Sequence, residues 1–333
     1  MPANDLLLSS SPHFYSQAST RKIMLAVILA LLPATVYGIY LFGAHALLLV
    51  VSTVAAAVLS EWGFRALTKQ ENHLGDCSAI VTGLLLALVL PPTTPIWMAV
   101  LGAIMAIVVA KEFFGGLGQN PFNPALIGRA FLLMSFPAAM TTWFAPHAAA
   151  DAVSSATPLN MIKQGQAMKD VFASAGVGDM GGLYWQLFLG NRAGSLGETS
   201  ILLILAGGIL LLGLGVIRFV IPLAILASTA LFSWLLGMDP LLALLSGGVV
   251  FGAFFMATDY STSPLTTKGQ LLYGVGIGAL IVIIRKYGAF PEGVTYAILI
   301  MNMLSPFLDK LRTRKYGYVA PKKPVAAAKG DAK

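Results

Sequence analysis

Residues 24–42 read MLAVILALLPATVYGIYLF, nineteen consecutive residues without a charge. At ~1.5 Å per residue such a run is about 28 Å long as a helix, enough to cross the hydrocarbon layer of a bilayer. Arg21 and Lys22 stand immediately before it, after a polar opening stretch. The pattern is that of a start-transfer segment. No convincing small-residue cleavage site follows, so it reads as a retained first helix.

The rest of the chain extends the pattern. Of 333 residues, 57% are hydrophobic and 11% charged, with a mean hydropathy of +0.80. A soluble domain carries about a quarter charged residues, so most of this exterior must face lipid. Apolar segments recur near 24–42, 45–63, 78–91, 96–111, 125–142, 199–217, 219–237, 241–257, 270–285 and 293–309. Several are shorter than a full crossing and adjoin Pro or Gly, the signature of broken or re-entrant helices. Gly83, Pro95 and Pro137 recur as Gly252, Pro264 and Pro306, each 169 residues later. Five segments per half reverse orientation. The expected fold is an all-α polytopic membrane protein of about ten transmembrane helices in two five-helix inverted repeats with broken helices.

Basic residues orient it. With the N-terminus inside, only Lys163, Lys169, Arg192, Arg285 and Lys286 fall outside, leaving the other 16 of 21 Lys and Arg on the cytoplasmic side. The expected divisions are a cytoplasmic segment 1–23, a first transmembrane half 24–142, a periplasmic loop 143–198, a second half 199–309 and a basic cytoplasmic tail 310–333. The net charge of +7 is concentrated in that tail, which reads as a membrane-side anchor; no nucleic-acid partner is expected. Cys77 is the single cysteine. Alone it holds neither a disulfide nor an iron–sulfur cluster, and no metal site is expected.

In the outer loop, Asp151-Ala152-Val153-Ser154-Ser155-Ala156-Thr157-Pro158-Leu159 reads, taken alone, as a small-residue turn leading to Pro158. It also resembles the flavin-attachment signature Asp-x-x-(Ser/Thr)-(Gly/Ser/Ala)-Ala-(Thr/Ser), whose last hydroxyl forms a phosphoester with FMN. The resemblance implies Thr157 as the acceptor, within a motif completed by Asp151, Ser154, Ser155 and Ala156. Ser155 stands where glycine is commoner. Further on, Gly194-Ser195-Leu196-Gly197-Glu198-Thr199-Ser200 reads as a helix start capped by Ser195 or Thr199, or as a wall of a flavin site.

Two breaks fall on the cytoplasmic side. Gly115-Gly116-Leu117-Gly118-Gln119-Asn120-Pro121-Phe122-Asn123-Pro124 has no preceding strand and is no dinucleotide fingerprint. The other is Thr258-Asp259-Tyr260-Ser261-Thr262-Ser263-Pro264. Irregular backbone at membrane depth must line a cavity or be sheltered by protein. The breaks suit a second flavin or an ion path; Asp259 suits either that role or a helix end in contact with water. Glu61 and Glu112 are expected to pair at the interface with Arg65 and Lys111. Gly102, Gly276 and Gly278 allow close helix packing, and the Trp residues mostly mark segment ends.

The chain is similar to the family of D subunits of the Rnf complex, also called Rsx. The likeness rests on Ser11-Pro12-His13, Ser19-Thr20-Arg21-Lys22-Ile23-Met24, Asn120-Pro121-Phe122-Asn123-Pro124-Ala125, Met256-Ala257-Thr258-Asp259 and Pro264-Leu265-Thr266-Thr267-Lys268-Gly269, in order. The B subunit of the sodium-pumping NADH:quinone reductase is related but typically has a longer N-terminal extension. The resemblance implies one part of a six-part bacterial inner-membrane assembly, alongside subunits A, B, C, E and G. That assembly couples electron transfer between ferredoxin or NAD(H) and other carriers to movement of Na⁺ or H⁺. It also implies covalent FMN added at Thr157 by a flavin transferase, and a non-covalent riboflavin that it assigns to no residue here. The alternatives are a flavin-free secondary transporter or channel, and a scaffold subunit.

Overall fold

The structure, a computed structural model, describes residues 19–71, 74–143, 158–164, 171–172, 177–190, 193–288 and 292–311. Helix forms on all ten apolar segments, and no strand occurs among the described residues. The first half holds α1 (Thr20–Phe42), α2 (Ala44–Thr68), α3 (Ser78–Val89), α4 (Ile96–Ile104), α5 (Pro124–Ser135) and α6 (Pro137–Thr141). Two short helices follow, α7 (Pro158–Lys163) and α8 (Met180–Leu189). The second half holds α9 (Ile201–Gly213), α10 (Val220–Leu235), α11 (Pro240–Leu245), α12 (Val249–Phe251), α13 (Thr267–Tyr287) and α14 (Val294–Leu308).

Local sequence sets these boundaries. Ser19 begins α1 by accepting from the Lys22 N–H, and Gly43, at φ 76°, turns the chain directly into α2. The 12 residues of α3 span only ~18 Å before Pro91 and Pro92 stop them. The α4 rod continues through a π turn (Met105–Val109) and a 3-10 turn (Glu112–Phe114), giving a 19-residue apolar stretch. A second π turn, Gly252–Met256, follows α12. The apolar side chains left exposed are those a bilayer would cover, such as Leu29, Val36, Leu59 and Leu223. Trp62, Trp97, Trp185 and Trp234 are also exposed, whereas Trp143 is buried.

A shift of 169 residues carries α2 onto α10, α3 onto α12 with its π turn, α4 onto α13, and α5 onto α14. Within each half the equivalent pairs pack together, α2 on α4 and α10 on α13. The α1–α9 contact joins the halves, and one apolar core runs through both. Ile23 of α1 lines the same cavity as Asp259, and Asp309, just after α14, accepts from the Leu265 N–H at 2.8 Å. Both ends of the described bundle therefore share one side.

The connection between the halves is less polar than its composition suggests. Met161, Val171, Leu183 and Leu187 form a small apolar cluster with Leu242 of α11. Asp179 caps α8, and the Tyr184 hydroxyl donates to Asp239, the cap of α11. Burial, reinforced by that carboxylate, pushes Tyr184 up to about 12.

Close approach is required where α13 crosses α10. A methyl on Gly278 would fall 2.8 Å from the Thr229 nitrogen and into the Ser228 side chain, while Gly213 faces open space. Gly278→Ala should therefore cost about 1–3 kcal/mol through overpacking, and Gly213→Ala less than ~1 kcal/mol. Thermal unfolding in detergent, followed by tryptophan fluorescence, measures both.

Candidate functional site: a polar cavity between two helix breaks

The two inner breaks meet through amides. Asn123 caps α5, its Oδ1 accepting from the Ala125 and Leu126 N–H groups at 3.0 and 3.3 Å. Its Nδ2 donates across the halves to the Met256 carbonyl at 3.2 Å, at the end of the π turn, where ordinary helical bonding is interrupted. The Ser261 hydroxyl donates to Asn120 Oδ1 at 2.8 Å, and Asn120 Nδ2 donates to the Phe122 carbonyl at 2.9 Å. Asn302 of α14 satisfies its neighbours in one amide orientation. Its oxygen accepts from the Asn123 N–H (3.2 Å), and its NH₂ meets the Ile298 carbonyl (3.2 Å) and the Tyr273 hydroxyl (2.6 Å).

Between the breaks lies an open cavity of about 90 Å³. Val27, Leu85, Leu211, Phe254 and Phe255 supply apolar walls; Ser78, Lys111, Asn120, Asn123 and Asp259 supply the polar part. The mixture of apolar walls with a few convergent polar groups is that of a small-molecule site. Asp259 accepts from the Ser261 N–H and the Thr262 hydroxyl, both at 3.4 Å. Asp259 is half-buried in the cavity wall.

Behind the cavity sits a charge cluster. Lys111 Nζ donates to Glu61 Oε2 at 2.7 Å and to Ser78 Oγ at 2.6 Å. Arg65 forks onto Glu112, with Nε to Oε2 at 3.0 Å and Nη2 to Oε1 at 3.4 Å, and its Nη1 donates to the Glu71 carbonyl. The expected partners do pair, but all four groups are buried, with Glu61 at 0% and Lys111 at 1% exposure. Removing one member of such a pair costs about 3–5 kcal/mol, because the other is left charged and dry.

The outer side carries a counterpart. Arg285, near the end of α13, donates to the carbonyls of Ala243, Ser246 and Gly247 at 2.5, 2.7 and 3.4 Å. Gly247 and Gly248 both have positive φ, and a methyl there would strike Arg285 and Glu198, respectively. Ser78 and Gly247 are 169 residues apart. In each half a base at the end of α4 or α13 thus holds the start of the short buried helix, on opposite sides. The sequence marks both bases as helix ends and expects a carboxylate for Lys111, but names no partner for Arg285.

Other expected positions resolve unevenly. Ser200, not Ser195 or Thr199, caps α9 by accepting from the Leu203 N–H; the Thr199 hydroxyl donates to the Leu196 carbonyl instead. Arg129, counted with the inner basic residues, pairs with Glu292 in the outer connection between α13 and α14. Thr157, Asp151, Ser154, Ser155 and Ala156 lie outside the described residues. The helix directly after them is anchored. Leu159 is buried against the Gly247 position, and Lys163 donates to the Gly288 carbonyl at 2.6 Å.

Because Asn123 serves both halves, Asn123→Ala should lose the α5 cap, worth ~1 kcal/mol, and orphan the Met256 carbonyl at about 1–3 kcal/mol more. Asn123→Asp keeps the cap acceptor and should lose only the second part. The fraction of monodisperse protein surviving a heat step, read by size-exclusion chromatography, orders the three chains.

Residues 7–317 match the family described as NQR2, RnfD, RnfE. The D subunit of a proton-translocating ferredoxin:NAD(+) oxidoreductase complex from Clostridium ljungdahlii is 44% identical, over 92% of this chain and 94% of its own. The Na(+)-translocating counterpart of Acetobacterium woodii is 43% identical over 97% and 99%. The D subunit of an ion-translocating oxidoreductase complex from Escherichia coli is 37% identical over 93% and 98%. With a family match along nearly its whole length and relatives well above a third identical, the chain belongs to the NQR2, RnfD, RnfE family.

Proposed function

We propose that this chain is the membrane-embedded D subunit of an ion-translocating oxidoreductase complex of the inner membrane, relaying electrons between ferredoxin- or NAD(H)-linked centres and other carriers. Its partners would be subunits A, B, C, E and G, with a flavin transferase as modifying enzyme. Both termini are cytoplasmic in this reading and the 143–198 connection periplasmic. The family match along the chain carries the assembly. The relatives differ in the ion their names give, protons in one and Na⁺ in another, so the coupled cation is left open.

Two flavins fit this role. FMN would be ester-linked through its phosphate to Thr157, in the motif of Asp151, Ser154, Ser155 and Ala156. Anchoring of the next helix by Leu159 and Lys163 supports a fixed outer position for it. A non-covalent riboflavin suits the inner cavity, whose walls match a fused ring: Phe254 and Phe255 are apolar and Lys111 is basic. When bound, a flavin supplies one- and two-electron redox chemistry that no side chain offers. The chain's own part is to orient the rings, exclude water and hold charge near them. A flavin-free transporter has no need of the outer hydroxyl.

Denatured Thr157→Ala chain, co-expressed with the flavin transferase, should show no fluorescent band under ultraviolet light in a gel, and Thr157→Ser should keep one. A band surviving in the alanine variant refutes the attachment site. Val81 lines the inner cavity and is itself buried. Val81→Trp should cut the flavin released by acid precipitation at least about tenfold, equivalent to ~1.4 kcal/mol of binding, while the covalent band persists. Undiminished release would sink the cavity assignment.

A further inference from the structure

Lys111 is the one basic side chain in the wall of the inner cavity among the described residues. Two groups hold its ammonium, Glu61 Oε2 at 2.7 Å and Ser78 Oγ at 2.6 Å, and Ser78 lines the same cavity. Glu61 is incompletely used. Its Oε1 is buried and accepts no hydrogen bond, and Arg65 Nε, 3.8 Å away, is turned to Glu112. The four charges of the cluster sum to zero, Glu61 restrains the ammonium, and Asp259 adds an acid to the same cavity wall. A lysine is a point charge on a flexible stem, and in a dry site its attraction to a neighbouring negative charge is strong.

We infer that Lys111 is the charge partner of the redox ligand in this cavity, and that Glu61 sets how much of its charge the ligand feels. The inference rests on reading the cavity as a flavin site. Reduction by another centre of the complex leaves negative charge on a ring lacking a compensating proton. The Lys111 ammonium offsets that charge by leaning from Glu61 towards the cavity. No bond of the chain breaks, and Lys111 keeps its protons. The alternative is a strut: Lys111 ties α2, α3 and the end of α4 together and has no dealings with the ligand.

The two roles differ in the sign of their effects. A strut makes Glu61→Gln and Lys111→Gln alike, each loosening the same joint. A charge partner makes them opposite. In the full-length chain purified in detergent, with Thr157→Ala removing the covalent flavin, spectroelectrochemical titration reads the bound, non-covalent flavin. At a fixed potential Lys111→Gln should lower its reduced-to-oxidised ratio about tenfold, ~59 mV for a one-electron couple. Glu61→Gln should raise the ratio by a similar factor. The double variant should lie within about twofold of the parent, and Lys111→Arg should stay near it. Glu61→Gln alone suffices if Lys111→Gln does not fold. Shifts of one sign, or none, with flavin still bound overturn the role of Lys111 and leave the cavity assignment standing. A parent chain that binds no releasable flavin overturns both.

Discussion

A backbone that stops being helical inside a membrane must find partners for its N–H and C=O groups within the protein. Asn123 is where this chain meets that requirement. One amide closes α5 with its oxygen and reaches across to Met256 with its nitrogen. Neither break is satisfied by its own half alone: the first half supplies the donor and the second the orphan carbonyl. Asn120 with Ser261, and Asn302 with Asn123, repeat the exchange in the same layer. A cavity can persist there because its rim is held by polar bonds across the halves, while apolar packing continues above it.

Much of this was legible in sequence because lipid makes simple demands. Apolar runs mark ten segments, and helix forms on all ten. Gly and Pro marked the breaks, and the 169-residue echo of three Gly and Pro positions coincides with the register in which four helices of one half superpose on the other. Pairing among Glu61, Arg65, Lys111 and Glu112 is expected and is found; what escaped was which carboxylate meets which base, and the hold of Arg285 on Gly247. Glu61 and Lys111 are 50 residues apart, and Arg285 is 38 from Gly247; no periodicity reports such contacts. The π turns were hidden because one extra residue per turn leaves hydropathy unchanged. The cap of α9 is expected at Ser195 or Thr199 and falls on Ser200, because the 3-10 turn Leu196–Glu198 takes up the space before it. The motif at Thr157 falls outside the described residues, so its reading still stands on resemblance.

The two basic helix ends show how inverted halves diverge while keeping a shared frame. Lys111 and Arg285 each hold the start of a short buried helix, one in each half. Lysine answers to a carboxylate and a hydroxyl beside open space. Arginine is forked onto carbonyls in a closed corner, the geometry its planar head suits. One end is therefore built to yield and the other to stay.

The charge cluster also constrains how the chain enters the bilayer. Helix α2 carries Glu61 and Arg65 into lipid roughly fifty residues before Lys111 leaves the ribosome. At ~5–20 residues per second that interval is roughly 3–10 s. The four-residue spacing puts the two side chains on one helix face, 3.8 Å apart. The nascent helix thus brings its own counter-ion and waits as a dipole until α4 arrives with the permanent partners.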